Sequence, residues 1–237
     1  MWGNEPPGFR VVEDRDWGKG LGDWEILWND NGWLAVVANN GNLPAAKVLQ
    51  QYYPRGLAGG GDGTAEAHFQ IPDAMLSDEL YLGLWVRVNL QWIGHFGSGV
   101  NKFSHIGVGE GGGLLWAELF GEGSSPLTFQ AVSQLEGCDD GAVPGGYVFQ
   151  RGRWHKVEIH LKLGAEPGRT GTFRVWANGQ RIIDTPICTP DISSKAITFV
   201  RLTGTWGGVG GSKPHDDYMQ WGPVRISVPQ PRIAIGN

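Results

Sequence analysis

Residues able to move protons and to neutralise a carboxylate recur at alternate positions along several extended stretches of this chain. Strand geometry would hold such positions on one face. In DELYLGLWVRV, residues 78–88, Leu80, Leu82, Leu84, Val86 and Val88 form an apolar face, and Tyr81, Gly83, Trp85 and Arg87 form the other. Lys102 and His105 follow beyond a turn through Gly94, Gly97 and Gly99. Arg87, Lys102 and Gln130 can neutralise a carboxylate and so acidify the proton on the neighbouring carbon. His105, Tyr81 and Tyr218 can take that proton or hand one to a leaving oxygen. These are the needs of β-elimination beside a carboxylate. The expected site is a groove lined by Tyr81, Trp85 and Arg87, with Lys102 and His105 arriving from the next strand.

Other polar faces extend the set. Residues 64–71 alternate, with Glu66 and His68 opposing Ala65, Ala67, Phe69 and Ile71; Trp116 and Glu118 share one side of 114–120, and Gln130 sits on the polar side of 127–132. Glu66 and Glu118 are the one carboxylate pair placed for glycoside hydrolysis, which needs two carboxyl groups across the scissile bond. A third reading breaks no bond: Tyr81, Trp85 and Trp116 stack on sugar rings while Arg87, Glu118 and Gln130 hold hydroxyls, as in a lectin-like module, and Glu66 and His68 are further substrate-binding candidates. Plain structural roles compete with each assignment. Lys102 can be a solvated strand end, Arg87 can pair with Glu118, and strict alternation puts His105 on the face of Phe103, as a core histidine. Elimination requires no cofactor. Acidic turns at Asp30-Asn31 and at Glu136, Asp139 and Asp140 offer oxygen ligands for a structural Ca²⁺. No Cys/His set has zinc spacing, Gly207 to Gly211 lacks the lysine and helix of a phosphate loop, and no serine has a nucleophile-elbow context.

The elements that must carry these residues read as strands. Further strand candidates are 9–12, 35–37, 48–53, 154–163, 196–202 and 218–228, and Asn178-Gly179 between 172–177 and 180–183 signals a tight hairpin. Residues 72–76 are the one short helical candidate, and Trp17, Trp24, Trp28 and Trp33 are expected to pack under a sheet edge. With 39 glycines scattered as turn signals, 237 residues and no linker, the chain reads as a single all-β domain, a two-sheet antiparallel sandwich of the jelly-roll kind, with 229–237 as an appendage. The net charge of -5 and the lack of a Lys/Arg run argue against nucleic acid or anionic membrane as partners. No apolar run is long enough to cross a bilayer. Cys138 and Cys188 allow one disulfide, consistent with an exported protein, extracellular or periplasmic, whose leader is not among these residues.

GVNKFSHIG at 99–107, RGRWHKVEIHLKL at 151–163, TGTFRVWANGQRI at 170–182 and TWGGVGG followed by DDYMQWGPVRIS at 216–227 together resemble the concanavalin A-like lectin/glucanase superfamily. Within it they look most like the jelly-roll polysaccharide lyases of the glucuronan, alginate and heparin lyase group. The resemblance implies a concave sheet that binds an extended uronate polysaccharide, and the protein is expected to be a monomer. It also implies a Lys or Arg with a Gln or Asn at the substrate carboxylate, and a Tyr, His or Lys that moves the protons. Lys102 matches the lysine-bearing strand of such enzymes. The chain departs from one alginate lyase family in having no R-x-E-x-R and no Q-I-H, and GTAEAHF at 63–69 stands roughly at the first of these places. It also lacks the E-x-D-x-x-E of hydrolases on this fold.

Overall fold

A computed structural model describes residues 2–29, 31–60, 65–109, 113–138, 141–191 and 196–230. Asp30, Asp139 and Asp140, from the two expected Ca²⁺-ligand turns, and residues 231–237 of the expected appendage lie outside them.

Among the described residues the strands, in chain order, are β1 (Phe9–Arg15), β2 (Glu25–Leu27), β3 (Leu34–Ala38), β4 (Lys47–Tyr53), β5 (Glu66–Gln70), β6 (Glu79–Val88), β7 (Val100–Val108), β8 (Gly113–Phe120), β9 (Leu127–Leu135), β10 (Gly141–Phe149), β11 (His155–Lys162), β12 (Gly168–Ala177), β13 (Gln180–Thr189), β14 (Ile197–Thr203) and β15 (Asp217–Pro229). Two 3₁₀ turns accompany them, Trp17–Lys19 and Asp73–Met75, the second where the sequence suggested a short helix. All described strand pairs are antiparallel. They form an eight-stranded sheet, β13-β12-β11-β6-β15-β4-β3 with β1 also on β15, and a seven-stranded sheet, β10-β9-β8-β7-β14-β5-β2. This is the jelly-roll sandwich expected from the alternation.

One hydrophobic core lies between the sheets. Leu80, Leu82, Leu84 and Val86 of β6 and Val157, Ile159 and Leu161 of β11 meet Phe103, Leu115, Phe129 and Val200 from the facing sheet. Alternation explains this directly, because each of these strands turns its apolar side inward. Asn178 and Gly179 both adopt positive φ, 49° and 85°, as the two-residue turn between β12 and β13 demands. Cys138, just after β9, is bonded to Cys188 near the end of β13 and ties the two sheets together.

Three local departures from the sequence reading have physical causes. β10, which is not among the strand candidates of the sequence, contains Pro144 and Gly145-Gly146. It is an edge strand whose ladder to β9 is interrupted between Pro144 and Val148, where a missing N–H costs least. Trp28 does not pack under the sheet: it is 63% exposed with φ 56°, while Trp17 and Trp24 are buried against each other. The third departure is a bulge in β7. Lys102 faces Glu118 and Ser104 faces Ala117, so Phe103 is an extra residue in the ladder. Phe103 turns into the core, and the strand resumes one position out of phase.

Candidate functional site

The bulge decides which side chains meet. Without it, Lys102 and His105 would lie on opposite faces; with it, His105 stands opposite Trp116 and Lys102 opposite Glu118, both on the outer face of the seven-stranded sheet. That sheet orders β5, β14, β7, β8 and β9 side by side, and register aligns two rows across it. His68, Arg201, His105 and Trp116 form one row; Glu66 with Thr203, and Lys102 with Glu118 and Gln130, form the other. Seven of the residues singled out in the sequence therefore share one surface: Glu66, His68, Lys102, His105, Trp116, Glu118 and Gln130.

The remaining four do not join them. Tyr81, Trp85 and Arg87 belong to β6 and Tyr218 to β15, in the opposite sheet. The expectation of a single groove combining these with Lys102 and His105 is corrected. Alternation assigns a face within a strand, but the glycine-rich segment 94–99 carries the chain across to the other sheet instead of returning it as a hairpin. Tyr81 is fully buried, and its hydroxyl donates to Glu158 Oε1 at 2.7 Å. Burial, then Glu158, push its pKa far up, so it holds its proton. Arg87 donates to Asn40 Oδ1 at 3.2 Å rather than pairing with Glu118.

Lys102 is the central cation of the surface. Its Nζ lies 3.9 Å from the centroid of the Trp116 ring, and the indole Nε1 donates to Glu118 Oε2 at 2.9 Å. Trp116, only 8% exposed, is thus a support for the ammonium and for Glu118 rather than an open stacking platform. Desolvation lowers the Lys102 pKa, opposed by the charges of Glu118 and Glu66. The same desolvation raises the pKa values of Glu66 and Glu118. Arg201 donates from Nη1 to Glu66 Oε2 at 3.2 Å and from Nε to His68 Nδ1 at 3.0 Å, which fixes His68 Nδ1 as an acceptor.

His105 has no hydrogen-bond partner at either ring nitrogen among the described residues, and Glu66 Oε1, at 3.6 Å from Nδ1, is beyond hydrogen-bond reach. Burial first, then the positive charges of Lys102 and Arg201, pull its pKa down to about 3. The imidazole is neutral at ordinary pH, so the contact with Glu66 is not an ion pair. A stability effect follows with a definite sign. The unfolded imidazole takes up a proton near pH 6.5 and the folded one only near pH 3, so this group's contribution is complete above about pH 6.5 and is lost as pH falls toward 3. His105→Gln should flatten the fall of the urea midpoint between about pH 6.5 and 4; an unchanged slope would contradict a buried neutral histidine.

Arg201 and Thr203 were missed by the sequence reading. The available signal was a lone arginine inside the apolar strand ITFVRLT, whose register against the Glu66-containing strand only the sheet order reveals. Among the described residues no cluster of three or more His, Cys, Asp or Glu could hold a metal ion.

No protein-family model matches the sequence, and no curated protein does. Solved structures match in fold. The alginate lyase Aly36B, in a double variant bound to alginate tetrasaccharide, superimposes with a TM-score of 0.66 at 16% identity over 95% of this chain and 93% of its own. The endo-beta-1,4-glucuronan lyase from the fungus Trichoderma reesei gives 0.62 at 12% identity over 86% and 91%. The marine PL-14 alginate lyase from Aplysia kurodai gives 0.66 at 15% identity over 93% and 100%. The chain has the jelly-roll fold of these polysaccharide lyases.

Proposed function

We propose that the protein is a polysaccharide lyase that cleaves a uronate-containing glycan by β-elimination on the outer face of the seven-stranded sheet. The observation that carries this reading is the β7 bulge, which sets on one surface the Lys102 ammonium and a neutral His105 that has no hydrogen-bond partner among the described residues. Lys102, with Gln130 alongside, binds the uronate carboxylate and offsets its charge, which lowers the cost of removing the adjacent proton. The bound carboxylate also offsets the field of Lys102 and Arg201 at His105. Two of the three causes that depress the imidazole are thereby weakened, and its basicity rises when substrate is present.

His105 then takes the proton from the carbon bearing the carboxylate. The electron pair of that C–H bond becomes the new carbon–carbon double bond, the bond to the glycosidic oxygen breaks, and the imidazolium returns the proton to that oxygen. No water is consumed. The fold neighbours, whose names include alginate and glucuronan lyases, support a uronate substrate. The disulfide between Cys138 and Cys188 supports an oxidising compartment outside the cytoplasm.

Hydrolysis by Glu66 and Glu118 fits less well. β5 and β8 are separated by β14 and β7, three strand spacings or about 14 Å between backbones. Inverting and retaining enzymes hold their carboxyl groups about 5–9.5 Å apart, and Glu66 leans on Arg201, within β14. The test is ultraviolet absorbance of the unsaturated product over a panel of uronate polysaccharides, run with a reducing-end assay on neutral glucans and xylans. Absorbance together with new reducing ends on a uronate polymer is expected. Reducing ends without absorbance would move the chemistry to hydrolysis, and binding without either signal would leave a lectin.

A further inference from the structure

Tyr81, Trp85 and Arg87 leave the candidate active surface, but Trp85 and Arg87 enter another. On the outer side of the eight-stranded sheet a pocket of about 640 Å³ is lined by Trp85 and Arg87 of β6, Arg153 and Trp154 just before β11, and Asn40 and Asn42 of the β3–β4 loop. Its size is within the range of small-ligand sites, about 300–1,000 Å³. In a chain of net charge -5, no carboxylate lines it among the described residues. Its two guanidinium groups are therefore not neutralised within the pocket.

The walls are held in place before any ligand arrives. Asn39 donates to the carbonyls of Leu43 and Ala45 and accepts from the Gly41 N–H at 2.9 Å, which fixes the loop. Gly41 passes so close to Arg87 and Trp154 that a β-carbon there would run into the guanidinium and the indole nitrogen. The Arg87 guanidinium stands 6.0 Å from the centroid of the Trp154 ring and donates to Asn40 Oδ1 at 3.2 Å. Arg87 Nε and Trp154 Nε1 are buried donors without a partner among the described residues.

From this we infer that the pocket is a second, non-catalytic saccharide site that takes an anionic sugar residue. The indoles of Trp85 and Trp154 face the ring, Arg87 and Arg153 meet its carboxylate or sulfate, and Asn40 and Asn42 bond its hydroxyls. It lies on the opposite side of the sandwich from Lys102 and does not depend on elimination occurring there. One protein would then hold an acidic glycan at two faces, one for turnover and one for retention.

Calorimetric titration of the Lys102→Ala protein, which should not consume substrate, tests this with an oligouronate, a sulfated oligosaccharide and a neutral oligosaccharide of equal length. Trp154→Ala and Gly41→Ala, each introduced into that background, should weaken one binding event for an anionic ligand at least tenfold, with the circular dichroism spectrum unchanged. Gly41→Ala keeps both aromatic walls, so it answers the question if Trp154→Ala fails to fold. Whichever anionic ligand responds names the anion. Isotherms unaffected by both substitutions would overturn the inference, as would a neutral oligosaccharide binding equally well at the same event. If the elimination reading fails, the uronate is simply not cleaved by the parent protein, while the effect of Gly41→Ala on binding is still read.

Discussion

Lys102→Ala should lower kcat/KM on a uronate polymer by about 10³-fold while leaving the thermal unfolding midpoint nearly unchanged. Removing one preorganised group that stabilises developing charge in a dry site typically costs about 10²–10³ in rate. In the proposed mechanism Lys102 faces a second demand as well, since its charge would offset a substrate carboxylate that otherwise repels the carbanion-like transition state. Its stem lies over Trp116 at the surface of the sheet, and its backbone N–H bonds Thr205 O at 3.0 Å in any residue, so the fold loses little. Lys102→Arg should retain part of the activity, because the charge persists while the position shifts. Full activity in Lys102→Ala, measured by product absorbance on folded protein, would remove this residue from the mechanism.

Asp217→Ala should destabilise the protein by about 3–5 kcal/mol, the usual cost of leaving a buried charge without its partner. The partner is Lys213, whose side chain is wholly buried. Its ammonium donates to Asp217 Oδ2 at 2.6 Å and to Ile93 O at 2.8 Å, and it lies 3.6 Å from the centroid of Trp92 and 4.8 Å from that of Trp206. Desolvation outweighs Asp217 and brings the Lys213 pKa down to about 8. The cluster joins the start of β15 to the segment that leads from β6 into β7. Asp217 Oδ2 also accepts from the Ile93 N–H at 3.1 Å, and Trp206 Nε1 donates to Ile93 O at 2.8 Å. The double change Asp217→Ala with Lys213→Met removes the charge together with its partner and should recover a large part of the loss. Urea unfolding of the two variants reads the difference; equal losses would show that the ammonium is not an uncompensated charge in Asp217→Ala.

How far the sequence could be read depended on whether its information was local. The apolar faces of β6 and β11 were visible because side chains alternate, and the β12–β13 turn was visible because Asn178 and Gly179 tolerate positive φ. β10 was hidden by Pro144, which a strand accepts only at an edge. Whether a strand lies at an edge is a property of the whole sheet. The site was legible in part for the same reason. Glu66, His68, Lys102, Trp116, Glu118 and Gln130 were correctly placed on polar faces. Which polar faces coincide depends on sheet order, and β6 and β7, consecutive in sequence, fall in different sheets. The position of His105 was ambiguous because one inserted residue, Phe103, reverses the phase of everything after it. Arg201 was overlooked because a single charge in an apolar strand has no meaning until β14 is known to lie between β5 and β7.

Elimination and hydrolysis differ in one molecule of water, and that difference is the most direct test of the central claim. A defined oligouronate incubated with the protein in heavy-oxygen water and analysed by mass spectrometry should give fragments whose masses sum to that of the substrate. The new non-reducing end should carry the double bond, with no label built in by cleavage. Fragments summing to substrate plus one labelled water would contradict the account and return the chemistry to the carboxylates Glu66 and Glu118.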